Sequence, residues 1–280
     1  MRIGIRGHDL KVNSFEKLVE EIHNKGFKCT QLALKKAITE FNVDVGAMTP
    51  GMALYMKEVF QKNQVDVAVL GCYLNLATPD YKALVKNRNT YISHIRFASL
   101  LGCGIVGTET GAVNTEYKFE KENHSQTSLD IFVENLKYVV EAAEKLGVIV
   151  GIEPVYKHIV YDIERAYQVL QTINSPNLQI IFDPVNVLSV DNYKEQDDII
   201  NGAFELLGDD IVTIHAKDFV VEGNEIKAVP SGQGHLNNEL LLTHIKKSKP
   251  FIHVLLENTQ PDNCVQTREY MEKLYSDIQI

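Results

Sequence analysis

Eight short apolar runs rich in β-branched residues recur along this chain, each separated from the next by a stretch with helical spacing. That alternation limits the fold more than any other feature. A strand followed by a helix, repeated, calls for a parallel sheet, and eight repeats favour a closed barrel. The runs lie at 2–7, 29–34, 65–71, 104–111, 148–153, 178–183, 211–218 and 251–257. Between them, Ser14 predicts a cap for a helix to about Asn24, and a second helical stretch covers about 48–62. Thr78-Pro79 predicts the start of a helix running to Gly102, and Thr127 or Ser128 the start of one ending at Gly147. Further helices are predicted near 162–173, 196–207, 237–248 and from about 265. Val221-Glu222-Gly223-Asn224-Glu225 predicts a small hairpin insertion, about 219–229, after the seventh strand.

No Pro/Ser-rich linker or composition break divides the 280 residues, so the expectation is one domain over 1–280, a single (β/α)8 barrel. An open doubly wound sheet is the alternative. It usually carries a Gly-rich phosphate loop after its first strand, and Arg6-Gly7-His8-Asp9 is not one. A net charge of -9 argues against a nucleic-acid surface, which needs clustered Lys and Arg. Cys29, Cys72, Cys103 and Cys264 have no CxxC spacing and are expected to be reduced thiols. No apolar stretch approaches membrane-spanning length, and Met1-Arg2 runs straight into a strand, so a cytoplasmic protein without membrane attachment is expected.

Four of the runs stop at residues able to bind a metal or move a proton: Glu153, Asp183, His215 and Glu257. Counting back by twos gives Gly151 and Ile149, Ile181 and Gln179, Thr213 and Ile211, Leu255 and His253. The opposite parity is uniformly apolar: Ile152 and Val150, Phe182 and Ile180, Ile214 and Val212, Leu256 and Val254. A sheet surface beneath helices must be apolar, so the four tips are predicted to face the barrel interior. Their C-terminal position is where barrel active sites are built. Neighbouring strands lie roughly 4.8 Å apart, so four consecutive tips can surround one ion. Three carboxylates and an imidazole suit Mn2+ or Mg2+, with Co2+ or Zn2+ as alternatives. Taken singly, a carboxylate or histidine at a strand end is more often a helix cap, a salt-bridge partner or a solvated loop residue.

At these residues the chain resembles the xylose isomerase-like sugar phosphate isomerase/epimerase TIM barrel family, which includes ketose 3-epimerases, inosose dehydratases and, more distantly, endonuclease IV. The resemblance is carried by Ile152-Glu153-Pro154, Phe182-Asp183-Pro184-Val185-Asn186, Ile214-His215-Ala216-Lys217-Asp218, Ser231-Gly232-Gln233-Gly234 and Leu256-Glu257-Asn258, in family order. It implies one divalent metal held by Glu153, Asp183, His215 and Glu257. It further implies that Glu153 and Glu257 form the acid/base pair, moving a proton through an enediolate of a small ketose, keto-polyol or sugar phosphate. Homodimers or homotetramers are common in that family. The epimerases commonly have a histidine where this chain has Asn186, which leaves substrate preference open. Endonuclease IV needs extra histidines where this chain offers Gly71-Cys72-Tyr73 and Thr108-Glu109-Thr110-Gly111, which argues against DNA repair.

Asn186, Glu109, His8, His158 and Lys217 are secondary candidates for substrate binding. For Glu109 and His8 a loop salt bridge or cap is an equal reading, and for Lys217 an exposed lysine is the favoured one. Gly232-Gln233-Gly234 reads as a tight turn sooner than as a phosphate site. The expected activity is a metal-dependent isomerase or epimerase. A dehydratase using the same site and a non-catalytic sugar-binding barrel are the alternatives.

Overall fold

A computed structural model describes residues 1–280. Its strands are β1 (Arg2–Arg6), β2 (Cys29–Leu32), β3 (Asp66–Gly71), β4 (Ile105–Glu109), β5 (Ile149–Glu153), β6 (Leu178–Phe182), β7 (Ile211–Ala216), β8 (Asp218–Glu222), β9 (Glu225–Val229) and β10 (His253–Leu256). The helices are α1 (Phe15–Asn24), the single turn α2 (Leu34–Ala37), α3 (Pro50–Lys62), α4 (Tyr81–Leu101), α5 (Gln126–Leu146), α6 (Ile163–Ile173), α7 (Gln196–Leu207), α8 (Asn238–Ser248) and α9 (Cys264–Asp277). Eight parallel strands close in the order β1-β10-β7-β6-β5-β4-β3-β2, while β8 and β9 form a separate antiparallel ribbon. The alternation predicted a barrel, and the chain is a (β/α)8 TIM barrel with the hairpin where it was expected.

The strands bury both faces. Val150, Ile152, Ile180, Phe182, Ile214, Val254 and Leu256 join the large cluster under the helices. Val69, Ile105, Ile181 and Leu255 form a smaller cluster inside the barrel. Room for Ile181 comes from glycines: a Cβ on Gly107 would lie 2.8 Å from Ile181 Cδ1, and one on Gly151 would lie 2.9 Å from Ile181 Cγ1. One parity assignment fails. Ile211 packs in the outer cluster and Val212 against the inner one, the reverse of the simple count. A register shift between Ile180 and Ile181 in the β6–β7 pairing separates Ile211 from Thr213 by one ladder step, so alternation resumes only at Thr213.

Three helix starts also differ from expectation. Ser14 occupies the N-cap position of α1 but its side chain makes no cap hydrogen bond, while the Glu40 carboxylate accepts from the Phe15 N–H at 2.9 Å. Thr78-Pro79 lies ahead of α4, and Asp80 Oδ1 takes the N–H groups of Lys82 at 2.9 Å and Ala83 at 3.2 Å. At α5 the cap is Ser125, whose Oγ accepts from Ser128 N–H at 3.1 Å. All four cysteines are free and buried, and no helix is long and apolar enough to cross a membrane.

Candidate metal and substrate site

The four tips project into one end of the barrel, each placed by its own strand. Glu153 ends β5, and His215 is the penultimate residue of β7. Asp183 and Glu257 lie one residue beyond β6 and β10. Ligand atoms of Glu153, Asp183 and His215 come within 4.8 Å of one another, and all three residues are buried. His215 Nδ1 lies 3.0 Å from Glu153 Oε1 and 3.4 Å from Glu257 Oε1. Asp183 Oδ1 accepts the backbone N–H of Val185 at 2.9 Å and of Asn186 at 3.3 Å, which fixes the carboxylate and leaves its other oxygen to the interior.

Glu257 stands outside that tight trio, and the cause is Lys217. The expectation of an exposed lysine is wrong: Lys217 is 6% exposed. Its Nζ sits 2.8 Å from Asp183 Oδ2 and 3.0 Å from Glu257 Oε2, an ammonium wedged between two carboxylates. Arg6 Nη1 approaches Glu257 from the other side at 3.3 Å while Arg6 Nε donates to Asp9 at 3.0 Å.

The electrostatics follow from burial and these contacts. Burial pushes the Asp183 carboxyl up to about 6, with Lys217 restraining the rise and Glu257 and Glu153 adding to it. Burial opposes charge on Glu257 as well, yet Lys217, His215 and Arg6 together hold it well below the usual carboxylate range. Burial also opposes charge on His215, but Glu153 and Glu257 outweigh it and raise the imidazole to about 9. Lys217 is raised further above the ordinary lysine value, burial being overcome by Asp183 and Glu257. This cluster of three buried carboxylates therefore favours cations, and the Lys217 ammonium lies against two of them.

The residues fit a divalent ion. Three carboxylates and one imidazole are a hard to borderline donor set, and the neutral His215 imidazole, facing Glu153 and Glu257, would supply the nitrogen donor. Glu153, Asp183, His215 and Glu257 are the side chains that would hold it.

Around the cluster lies a polar cavity of about 330 Å3 whose walls include Arg6, Tyr73, Glu109, His158, Asn186 and Lys217. Asn186, expected to meet substrate, spends its amide on Glu153 Oε1 at 2.6 Å while still facing the cavity. Glu109 is held by Tyr117 Oη at 3.3 Å and lies 3.7 Å from His158 Nδ1. Burial raises the Glu109 carboxyl and lowers the His158 imidazole to about 4. His8 lines the rim, 3.7 Å from Asp9, and burial lowers it too. Gly232 is part of a turn, its N–H given to Asp218 Oδ2 at 3.0 Å.

The sequence reading missed Arg6, Gln31, Lys36, Tyr73 and Asn258, which also border the cavity. The available signal was polarity near a strand end: Arg6 closes β1, and Gln31, 2% exposed, is a polar residue within the wholly buried β2 and donates to the Tyr73 hydroxyl.

A closed (β/α)8 barrel with a buried carboxylate and imidazole cluster at one mouth defines a barrel with a candidate divalent-ion centre. Residues 19–274 match the family described as xylose isomerase-like TIM barrel, and the chain belongs to that family. Among solved structures, a D-tagatose 3-epimerase-like protein superposes with a TM-score of 0.78 at 18% identity, over 99% of this chain and 97% of that one. The probable 3-DHS dehydratase AsbF of Bacillus anthracis gives 0.75 at 15% identity, over 99% and 100%. The IolI protein with a bound zinc atom gives 0.72 at 18% identity, over 99% and 98%. At these identities the likeness establishes the shared fold. No curated protein is similar enough in sequence to be recognised as a relative.

Proposed function

We propose that this chain is a divalent-metal-dependent isomerase or epimerase acting on a small ketose, keto-polyol or sugar phosphate. The observation that carries the reading is the convergence of Glu153, Asp183 and His215, buried, with Glu257 3.4 Å from the same imidazole, beneath a polar cavity. A bound divalent ion, Mn2+ or Mg2+ by donor hardness and Zn2+ or Co2+ otherwise, would polarise a carbonyl and favour negative charge on its oxygen.

The remaining chemistry belongs to the chain. In sheet order β10 and β5 flank β7 and β6, so Glu257 and Glu153 stand on opposite sides of the Asp183 and His215 pair. One carboxylate takes the proton next to the carbonyl, and the other, entering the step as the carboxylic acid, gives its own proton to the opposite face, inverting the carbon. The Asn186 amide at Glu153 and the Lys217 ammonium at Glu257 orient the two carboxylates. Arg6, Tyr73 and His158 present hydrogen-bonding groups to a hydroxylated substrate along the cavity wall.

Glu109 favours a second reading. Its carboxyl, raised by burial and facing the cavity, is suited to protonate a departing hydroxyl, which would make the chain a dehydratase on the same site. The resemblance of the fold to the probable dehydratase AsbF agrees with that chemistry.

The test is solvent deuterium exchange. Protein stripped with a chelator and reloaded with Mn2+ is incubated in deuterium oxide with a broad panel of ketoses, keto-polyols and sugar phosphates. Metal-dependent deuteration next to a carbonyl is expected. An enone absorbance growing in would select the dehydratase, and sugar binding without exchange from any panel member would select a non-catalytic barrel.

A further inference from the structure

The polar cavity does not end at Lys217. Val155, Asn186 and Lys217 form a shared partition with a second cavity of about 320 Å3 whose chemistry is different. Its far walls are Val185, Leu188 and Val190, on the loop after β6, and Ile226 and Ala228 of the hairpin strand β9.

The hairpin builds one of those walls by its register. Phe219 pairs with Ala228 and Val221 with Ile226, which puts all four side chains on one face of the ribbon. Phe219 is fully buried in a small core with Val185, Leu188 and Leu236. Farther along the same face, Ile226 and Ala228 are only half-buried and line the cavity. The opposite wall is fixed as well: Tyr156 N–H donates to the Asn186 carbonyl at 2.7 Å, and Leu188 N–H to the Val185 carbonyl at 3.1 Å. The slot is therefore preformed, lined by these apolar side chains together with Lys157, Ser189, Asn224 and Glu225, and continuous with the cavity that holds Glu153 and Glu257.

A free ketose or sugar phosphate has no apolar substituent to set against Val185, Leu188, Val190, Ile226 and Ala228. We propose that the substrate has two parts, a hydroxylated carbonyl-bearing portion in the polar cavity and an apolar substituent lodged between the hairpin and the loop after β6. The chemical class is a sugar or keto-polyol conjugate, such as a glycoside with an apolar aglycone. This rests on the reading of the polar cavity as the reacting site. Preformed apolar walls need no ordering on binding, so burial of the substituent goes into affinity and selectivity.

The test compares methyl and 4-nitrophenyl glycosides of glucose, galactose and mannose by titration calorimetry on Mn2+-loaded full-length protein. Ile226 and Val190 methyl resonances are followed in parallel. The 4-nitrophenyl member of at least one pair is expected to bind about tenfold or more tightly, and to shift both methyls. Ile226→Asp, on the half-exposed face of the hairpin, is expected to bring the 4-nitrophenyl to methyl affinity ratio to about one with the methyl glycoside unaffected. Ala228→Trp, which fills the slot, serves the same purpose if the charged variant does not fold. Equal affinities across all pairs, methyls that do not shift, or a preference that survives both variants would each overturn the slot. Deuterium exchange with free ketoses alongside equal affinities would sink the slot and leave the reacting site standing; an aryl preference with no exchange on any substrate would do the reverse.

Discussion

Lys217 Nζ lies 2.8 Å from Asp183 Oδ2, so a residue expected on the surface is the counter-ion of the most buried carboxylate in the site. The same ammonium reaches Glu257 at 3.0 Å and stands where the carboxylates draw a cation most strongly. A metal bound at these carboxylates would compete with the lysine for shared oxygens.

Lys217→Met is expected to bind Mn2+ about tenfold more tightly than the parent, read by equilibrium dialysis. Without metal it leaves Asp183 and Glu257 buried and unpaired, a loss of about 3 kcal/mol by the usual cost of breaking a buried pair. Mn2+ should raise its melting temperature more than it raises that of the parent. Equal affinities in the two proteins would show that Lys217 does not compete.

Glu153→Gln and Glu257→Gln each keep the side-chain shape and remove the base. Each is expected to lower the exchange rate by about 10²- to 10⁴-fold, the usual contribution of a positioned acid or base. Metal content, measured by elemental analysis, should also fall in both. A variant that retains full exchange would remove that glutamate from the proton transfer.

His158 is held neutral by burial, its value lowered to about 4 against an unfolded value near 6.5. The sign follows: below about pH 6.5 the unfolded chain takes up a proton there that the folded chain refuses. The stability this group contributes is present above that pH and is lost as pH falls toward 4. The full difference is about 3 kcal/mol. Urea titrations at pH 7.5 and pH 4.5 should show His158→Gln losing less stability between the two than the parent does. Parallel losses would place the acid sensitivity elsewhere.

Gly107→Ala puts a methyl 2.6 Å from Val69 Cγ1 and 2.8 Å from Ile181 Cδ1 inside the barrel. Overpacking of this kind costs about 1–3 kcal/mol. Combining it with Ile181→Val should cost less than the sum of the two single changes, because the contacts are shared. Additive losses in thermal unfolding would contradict the crowding.

The fold was legible because alternation of apolar strands with amphipathic helices is a local property that repeats: eight strands, the hairpin at Val221–Glu225 and helix α7 stand where periodicity places them. The four tips were legible for a related reason, since side chains alternate along a strand and a polar residue closing an apolar run breaks the pattern visibly. Helix starts read less well. Ser14 stands at the N-cap of α1 but makes no side-chain cap bond, and the first helical N–H is taken by Glu40, 26 residues away, which nothing near Ser14 in the chain announces.

What the sequence determined by itself was therefore the barrel and the inward set Glu153, Asp183, His215 and Glu257. What only the tertiary structure decided was where flexible side chains and adjoining loops end up. Lys217 follows His215 with the same parity in either case, and only the closed mouth, by surrounding its long side chain with Asp183 and Glu257, makes an ion pair there more favourable than water. The apolar slot beside the site depends in the same way on the hairpin meeting the loop after β6, a contact between segments about 40 residues apart that no local pattern encodes.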